Sequence, residues 1–356
     1  MVPTCHSLRY VWLCLWLAIA PASAQTLVDA LGRTVTLPDH PQRLLGAAPP
    51  LTALLLALAP EHVLALNMPF PPQAQHYLPA AVLTLPVIDS TMDHGLAMNA
   101  ETVLALQPDL ALAWGGSPGT AAQEPTLRFF DQLGVPVFFV RLDTLDDWPA
   151  AFELVGRIVG QQQRAAAIAD LLRDSQRRLS SALASLPSDQ RVRVYYAQGS
   201  DGLATECHLS FHVEALVLAG AHMVHRCAQR TMVGMEKIGL EDVIAYDPEF
   251  IVVQDAQALT RMAASPAWRQ VRAVRTGKLL LVPGVPLNWI DRPPSFMRAL
   301  GAQWLAHAFY PQRMPDVQPA VRSFYQAIWQ VTLIDSDISQ LLNGNAFVTQ
   351  HPGSTQ

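Results

Sequence analysis

Two runs of short strands and helices, separated by one long helix, constrain the fold of this chain more than any other feature. The first run covers residues 27–140 and the second covers 192–282. Between them, residues 161–186 carry apolar side chains at helical spacing without proline or glycine, which predicts a helix about 38 Å long. Strands that alternate with helices are typical of parallel sheets covered on both faces. The sequence therefore predicts an α/β protein of two doubly wound lobes joined by a single long helix.

Length and composition agree with two lobes that have large cores. The chain has 356 residues, of which 51% are hydrophobic and 15% charged, and its formal net charge is −5. The segments 110–114, 135–140 and 250–253 are continuous apolar runs, as expected of strands buried on both faces. A slightly acidic chain of this kind lacks the basic surface that nucleic-acid binding requires. We therefore expect a small-molecule or protein partner and no nucleic acid.

The first 24 residues have the layout of a secretory signal. Arg9 supplies a positive charge, residues 11–20 are apolar, and Ala22-Ser23-Ala24 provides the small residues of a cleavage site. The apolar stretch is shorter than the roughly 20 residues needed to span a bilayer. We therefore expect cleavage after Ala24 and a mature protein in the periplasm.

The two cysteines that follow the signal, Cys207 and Cys227, are surrounded by histidines. An even pair of cysteines in an exported chain usually forms a disulfide. Imidazoles are common ligands of iron, cobalt, nickel and zinc. Two interpretations stay open: the cysteines are bridged with the histidines flanking them at the surface, or His208 or His212 coordinates the metal of a bound complex. The other histidines of interest are His222, His225 and, beside Asp93 in the first run, His94.

The loops at the carboxyl ends of the strands are the places where doubly wound sheets bind ligands. These loops are rich in aromatic side chains, which suit a flat or bulky organic ligand. An arginine there can pair with an anionic ligand or with an acid of its own lobe, and Trp289 and Tyr196 can instead be core residues. The candidate ligand-binding residues are Phe70, Trp114, Tyr195, Tyr196, His208, Trp289 and Arg292.

A short pattern occurs once in each run, about 140 residues apart. Each copy has a helix that begins near a glutamate, a proline followed by an acid, and a buried strand. We assign Glu101 to the first copy, which ends at Pro108-Asp109, and Glu236 to the second, which ends at Pro248-Glu249. The repetition indicates that the two lobes are built alike.

The motifs of common hydrolases and nucleotide-binding enzymes are missing from the sequence. There is no G-x-S-x-G, no H-E-x-x-H and no glycine-rich phosphate loop with a lysine. We expect a protein that is not an enzyme and has no intrinsic cofactor. An exported metalloenzyme or metallochaperone that uses the Cys/His cluster is the alternative from another class, and a sensor that presents ligand to a membrane receptor is a third.

Several short stretches, in this order and spacing, resemble the metal-chelate class of periplasmic substrate-binding proteins of ABC importers. The resemblance extends over residues 27–311. The stretches that carry it are Asp29-Ala30-Leu31-Gly32-Arg33, Pro41-Gln42-Arg43-Leu44, Asn99 to Asp109, Gly134-Val135-Pro136-Val137, Ala219-Gly220-Ala221, Tyr246-Asp247-Pro248 and Trp304-Leu305.

The resemblance implies a fold, a function and partners. The fold is that of a class III periplasmic binding protein, two Rossmann-like lobes on one long helix. The ligand is a metal chelate of iron, cobalt or nickel, with an iron–siderophore first, then vitamin B12, a nickel or cobalt chelate, or haem. A monomer delivers it to a permease dimer in the inner membrane, to which Glu101 and Glu236 dock. The implied parts are a signal (1–24), a first lobe (25–147), linker helices (148–188), a second lobe (189–311) and a C-terminal helical segment and tail (312–356).

Overall fold

The computed structural model describes residues 25–89, 98–116, 123–229, 234–314 and 316–342. The expected signal and the candidates Asp93 and His94 lie outside these ranges. Within them, no helix is both long and apolar enough to cross a lipid bilayer.

The first lobe contains a three-stranded parallel sheet in the order β3-β4-β5, preceded by an antiparallel hairpin of β1 and β2. Every residue of β4 and β5 is buried, which explains their unbroken apolar sequence. Residues 63–66 contribute single bridges to this lobe, from Val63 to Leu44 and from Leu66 to Val87. The elements are β1 (Gln25–Val28), β2 (Thr34–Leu37), β3 (Leu44–Gly46), α1 (Pro49–Leu58), α2 (Ala80–Leu83), α3 (Ala100–Leu106), β4 (Leu110–Trp114), α4 (Gln123–Leu133) and β5 (Val137–Val140).

A helical hairpin joins the two lobes. It consists of α5 (Trp148–Ile158) and α6 (Gln162–Leu183). With 22 residues, α6 is about 33 Å long, so it is shorter than the sequence predicts at both ends. The two helices pack closely at Gly156, where an added Cβ would lie 2.2 Å from Cβ of Ala165. A side chain at this position would force the helices apart.

The second lobe contains a four-stranded parallel sheet in the order β11-β10-β6-β8 and a small antiparallel pair, β7 and β9. Its elements are β6 (Arg193–Ala197), β7 (Ala204–Thr205), α7 (Glu214–Leu218), β8 (His222–Met223), β9 (Glu236–Lys237), α8 (Leu240–Tyr246), β10 (Phe250–Val253), α9 (Ala256–Ala264), α10 (Arg272–Arg275), β11 (Leu279–Leu281) and α11 (Arg298–Phe309). Both lobes are thus parallel α/β units, as expected.

The structure contains the internal repeat, but the residues that correspond in the two lobes differ from those paired in the sequence. In each lobe a seven-residue helix ends at a left-handed residue, Gln107 with φ 47° and Asp247 with φ 42°. A buried proline and a buried strand follow in both. With these ends aligned, the counterpart of Glu101 is Glu241, and both are exposed second residues of their helices. Glu236 lies in β9, ahead of the helix.

The C-terminal segment covers both lobes. It contains α12 (Gln318–Phe324), a π-helical turn (Tyr325–Trp329) and α13 (Asp335–Leu342). The ring of Tyr325 contacts Tyr77 of the first lobe at 5.1 Å between centroids and Trp289 of the second at 6.4 Å. One cluster of buried apolar side chains therefore runs from α1 through α6 and α11 to this segment.

Candidate functional site

Residues that follow the carboxyl ends of strands in the two lobes meet across a narrow cleft. The ring of Trp114, the last residue of β4, lies edge-on to Phe211 of the second lobe, with 5.9 Å between centroids. Nearby, Phe70 lines a small cavity together with Leu287 and Pro293. This cavity has a volume of about 10 Å³, roughly enough for one water molecule. The lobes are thus already in contact.

Polar side chains on the first-lobe side of the cleft are held in fixed positions. Asn67 accepts a hydrogen bond from Thr52 Oγ1 at 2.6 Å and donates to the carbonyl of Gly46 at 3.2 Å. The indole Nε1 of Trp114 donates to Oδ1 of Asp143 at 3.2 Å. These bonds fix an amide and an aromatic ring at the cleft before any ligand enters.

The second-lobe side is formed by six charged or ionisable residues, which we call the charged network. Arg292 Nη2 donates to Glu206 Oε1 at 2.7 Å. His212 Nδ1 lies 2.7 Å from Asp291 Oδ2. Arg298 donates to Asp291 at 3.4 Å and to Glu214 at 2.9 Å. The members of the charged network are Glu206, His212, Glu214, Asp291, Arg292 and Arg298.

Glu206 is anchored from several directions although its side chain is wholly buried. Ser210 Oγ donates to it at 3.0 Å, and the backbone N–H of Met235 donates at 3.1 Å. Gly234, with φ +63°, lies against it, and an added Cβ would come within 1.9 Å of its Oε2. These donors offset much of the cost of removing a carboxylate from water. Because these donors fix Glu206, the guanidinium of Arg292 that pairs with Glu206 is also held in one place.

Carboxylates outnumber guanidinium groups in the charged network. Three carboxylates face two guanidinium groups, and the imidazole of His212 is bound to one of the carboxylates, Asp291. Burial raises the pKa of Glu214, although the Arg298 guanidinium opposes this shift. Uncompensated charge is expensive in such an enclosed place.

The charged network also reaches the first lobe. Oε1 of Glu214 accepts a hydrogen bond from the backbone N–H of Leu145, in the turn before α5, at 2.8 Å. The guanidinium of Arg298 lies 5.6 Å above the ring of Phe211, which in turn contacts Trp114. A movement of one lobe relative to the other would break these contacts.

Four of the residues predicted to bind ligand lie near the cleft or the disulfide. Phe70 lines the small cavity, Trp114 contacts Phe211 of the second lobe, and Arg292 precedes Pro293, which lines the same cavity as Phe70. The side chain of Arg292 is 23% exposed and is paired with Glu206 and Asp291, so the pairing with acids of its own lobe is the arrangement observed. His208 is half-buried and follows Cys207 in sequence.

The other three predicted residues have no exposed surface and support the site from the core. Tyr195 points away from the cleft into a separate cluster of the second lobe, and its hydroxyl donates to the carbonyl of Gly202 at 2.9 Å. Tyr196 is wholly buried, and burial beside the charge of Asp291 raises its pKa. Trp289 packs on Trp304. The expectation that these three rings line the cleft is corrected.

The cysteine and histidine cluster is divided between two locations. Cys207 and Cys227 are joined in a disulfide. His212 is buried and bound to Asp291 in the charged network, so it does not flank the disulfide at the surface as one interpretation required. His225 remains beside the two sulfur atoms.

The sequence did not predict most of the charged network. Glu206 and Asp291 are 85 positions apart, and no local spacing connects them. A signal was present in the segment from Asp291 to Arg298, where an acid and two arginines lie in the residues leading into α11 although their surroundings are apolar. Charged residues inside an apolar segment rarely become buried unless they are paired.

A search of protein families matches residues 71–286 to the family described as periplasmic binding protein. Among solved structures, an ABC transporter solute binding protein from Sulfurospirillum deleyianum superposes with a TM-score of 0.83 and 33% identity, covering 89% of this chain and 99% of that one. These matches agree with the two parallel α/β lobes and the linking helix.

Two curated relatives add information about ligands. The molybdate-binding protein MolA of Haemophilus influenzae is 24% identical and covers 89% of this chain and 94% of its own length. The vitamin B12-binding protein of Vibrio parahaemolyticus is 25% identical over 55% of this chain and 66% of its own length. All of these relatives are named as binding proteins. The chain therefore belongs to the periplasmic binding protein family and is a solute-binding protein of the ABC-transporter type with the class III fold.

Proposed function

We propose that this chain is the extracytoplasmic substrate-binding component of an ABC importer and that it captures a compact oxyanion, of the molybdate kind, between its lobes. The observation that carries the proposal is the closed cleft. Phe70, Leu287 and Pro293 leave a cavity of about 10 Å³, whereas pockets for large organic ligands measure about 300–1,000 Å³. Of the ligands considered, a compact one requires the least movement of the two lobes away from each other.

The charges at the cleft support an anion in particular. Arg292 is partly exposed there and is held by Glu206, so its guanidinium is oriented before the ligand arrives. A guanidinium has several N–H donors in one plane, which suits recognition of oxyanions. In this proposal Arg292 provides positive charge, and Asn67 and Phe70 form the opposite wall. The likeness to MolA over nearly the whole length supports the same ligand class.

A metal chelate is the second candidate. The vitamin B12-binding relatives and the Trp114–Phe211 pair favour it, because aromatic rings at the cleft can pack on a flat organic ligand. An iron–siderophore, a cobalt corrinoid, a nickel chelate or haem would require the lobes to separate. The contacts of Tyr325 with both lobes oppose such a movement.

The repeat described above supports an assignment of the residues that dock to the importer. We assign permease docking to Glu101 and Glu241, which occupy equivalent exposed positions on the two lobes. Glu241 replaces Glu236 in this role because Glu236 does not lie on the equivalent helix. Export by residues 1–24, with Gln25 as the mature N-terminus, would bring the protein to the permease in the periplasm.

Native mass spectrometry of the protein purified from periplasm, with elemental analysis of the same sample, tests this proposal. We expect one oxyanion per chain and molybdenum or tungsten in the elemental analysis. An organic mass with iron, cobalt or nickel would favour the metal chelate instead. N-terminal sequencing of the sample should begin at Gln25.

A further inference from the structure

A second group of metal-binding side chains lies on the second lobe, at the disulfide and apart from the cleft. The two sulfur atoms of Cys207 and Cys227 and one ring nitrogen of His225 all lie within 4.8 Å of one another. Tetrahedral zinc with two thiolates at about 2.3 Å places those sulfurs roughly 3.8 Å apart. Small movements of these side chains would therefore suffice to surround one ion.

The ring of His225 is oriented as metal-binding histidines usually are. Its Nδ1 lies 3.0 Å from the hydroxyl of Tyr246, while its Nε2 is closed off from solvent and has no hydrogen-bond partner within the described part of the chain. Metal-binding imidazoles typically donate one N–H to an oxygen and use the other nitrogen as ligand. A buried ring nitrogen without a partner is uncommon, and it is available as a ligand once the disulfide is reduced.

The site is also accessible. A cavity of about 360 Å³ is lined by His225, Cys227 and Glu236, so a small dithiol and a metal ion can reach the sulfur of Cys227. Glu236 provides a carboxylate in the lining of the same cavity.

We propose that Cys207, Cys227 and His225 form a redox-gated zinc site, closed by the disulfide and opened by its reduction. A dithiol reductant gives two electrons and two protons, its own sulfurs become a disulfide, and the Cys207–Cys227 bond is replaced by two thiols. Each thiol then releases one proton when Zn²⁺ binds. Two thiolates and an imidazole are ligands that zinc prefers.

Zinc titration of the reduced and the oxidised mature protein tests the proposal. The reduced protein, handled without oxygen in a phosphine reductant, is titrated with Zn²⁺ against a chromophoric chelator. We expect one tightly bound zinc per chain in the reduced protein and none in the oxidised protein. With Co²⁺ in place of zinc, thiolate-to-cobalt absorption should appear.

Variants identify the ligands. His225→Gln should weaken zinc binding at least tenfold. Tyr246→Phe should also weaken it, because the hydrogen-bond partner of a metal-binding imidazole is worth about 10–100-fold in metal affinity. His222→Gln, a change at a neighbouring half-buried histidine, should leave the affinity unchanged. Circular dichroism shows whether each variant is folded. Absence of stoichiometric zinc in the reduced protein, or unchanged zinc affinity in a folded His225→Gln variant, would overturn the proposal.

Discussion

The Nδ1 atom of His212 lies 2.7 Å from the Oδ2 atom of Asp291, and both side chains are almost completely closed off from solvent. This pair lies at the centre of the charged network, because Asp291 also contacts Arg292 and Arg298. Ionic groups buried to this degree are retained only when each has partners. The pair thereby connects the stability of the second lobe to the geometry of the ligand cleft.

Asp291→Asn should lower the free energy of unfolding by about 3–5 kcal/mol, the usual cost of removing one partner from a buried ion pair. The reason is that two guanidinium groups and an imidazole lose their shared carboxylate. Urea denaturation followed by circular dichroism measures the change. Asp170→Asn is a matched control, because its pair with Arg173 is exposed and should contribute less than about 1 kcal/mol. Equal stability of the two variants would contradict the importance assigned to Asp291.

Replacing Glu101 and Glu241 together by alanine should abolish ligand uptake by cells without changing the affinity of the purified protein. Both side chains are exposed, and neither lines the small cavity or belongs to the charged network, so we expect folding and binding not to depend on them. Transport of labelled ligand measures uptake, and calorimetry measures affinity.

Two control variants accompany the docking experiment. Glu236→Ala should keep full uptake because Glu236 is not on the equivalent helix, and Glu124→Ala changes another exposed glutamate near a helix start. Normal uptake by the Glu101→Ala, Glu241→Ala double variant would refute the docking assignment, and loss of uptake in Glu236→Ala would restore the assignment made from the sequence.

The stability of the protein should fall as the pH is lowered from neutral, in part because of His222. Burial, and then the charges of Arg193 and Arg226, lower the pKa of His222 below its usual value of 6.5. A depressed histidine pKa gives stability that is present above pH 6.5 and is lost as the pH falls toward the folded-state pKa. The His222→Gln variant should therefore lose less stability than the wild type between pH 7 and 5.5, within roughly this titration range. Identical pH profiles in urea denaturation would contradict the expectation.

Arg164 of α6 connects the linker to the first lobe and to the C-terminal segment. It donates to the carbonyl of Ala57 at 2.6 Å and to the carbonyl of Ile328 at 2.8 Å. Arg164→Met should cost about 2–5 kcal/mol of unfolding free energy, because each hydrogen bond to a charged group contributes about 1.5–3 kcal/mol. The exposed Arg178 on the same helix provides the control, and Arg178→Met should change stability by less than about 0.5 kcal/mol. A Tm equal to that of the wild type would show that the C-terminal segment is held without Arg164.

The two lobes could be predicted from the sequence because buried parallel strands are unbroken apolar runs, such as Leu110–Trp114 and Phe250–Val253. The sequence did not show which way the side chains of Tyr195 and Tyr196 point. A strand that is buried on both faces lacks the alternation of apolar and polar residues that would distinguish its two faces. The second copy of the repeat was placed at Glu236 because the two copies were aligned on a glutamate near the start of each helix. Alignment on Pro108 and Pro248, which follow the helices, pairs Glu101 with Glu241 instead.

The charged network was the part that sequence alone could not reveal. Its members come from two short segments, 206–214 and 291–298, which are distant in the chain and meet only when the second lobe folds and α11 packs against α7. Each of Glu206, Glu214, Asp291 and Arg298 would be expected at the surface from its residue type alone. Their burial depends on partners that no local pattern encodes.

Calorimetric titration of the mature protein with molybdate tests the central claim most directly. We predict one site with a dissociation constant of roughly 1 µM or tighter, and at least tenfold weaker binding, about 1.4 kcal/mol, in Arg292→Gln. Asn67→Ala tests the opposite wall and should also weaken binding, whereas Arg178→Gln should not. The absence of heat with molybdate and tungstate, together with tight binding of a ferric siderophore or cobalamin, would contradict the claim that the cleft holds a compact oxyanion.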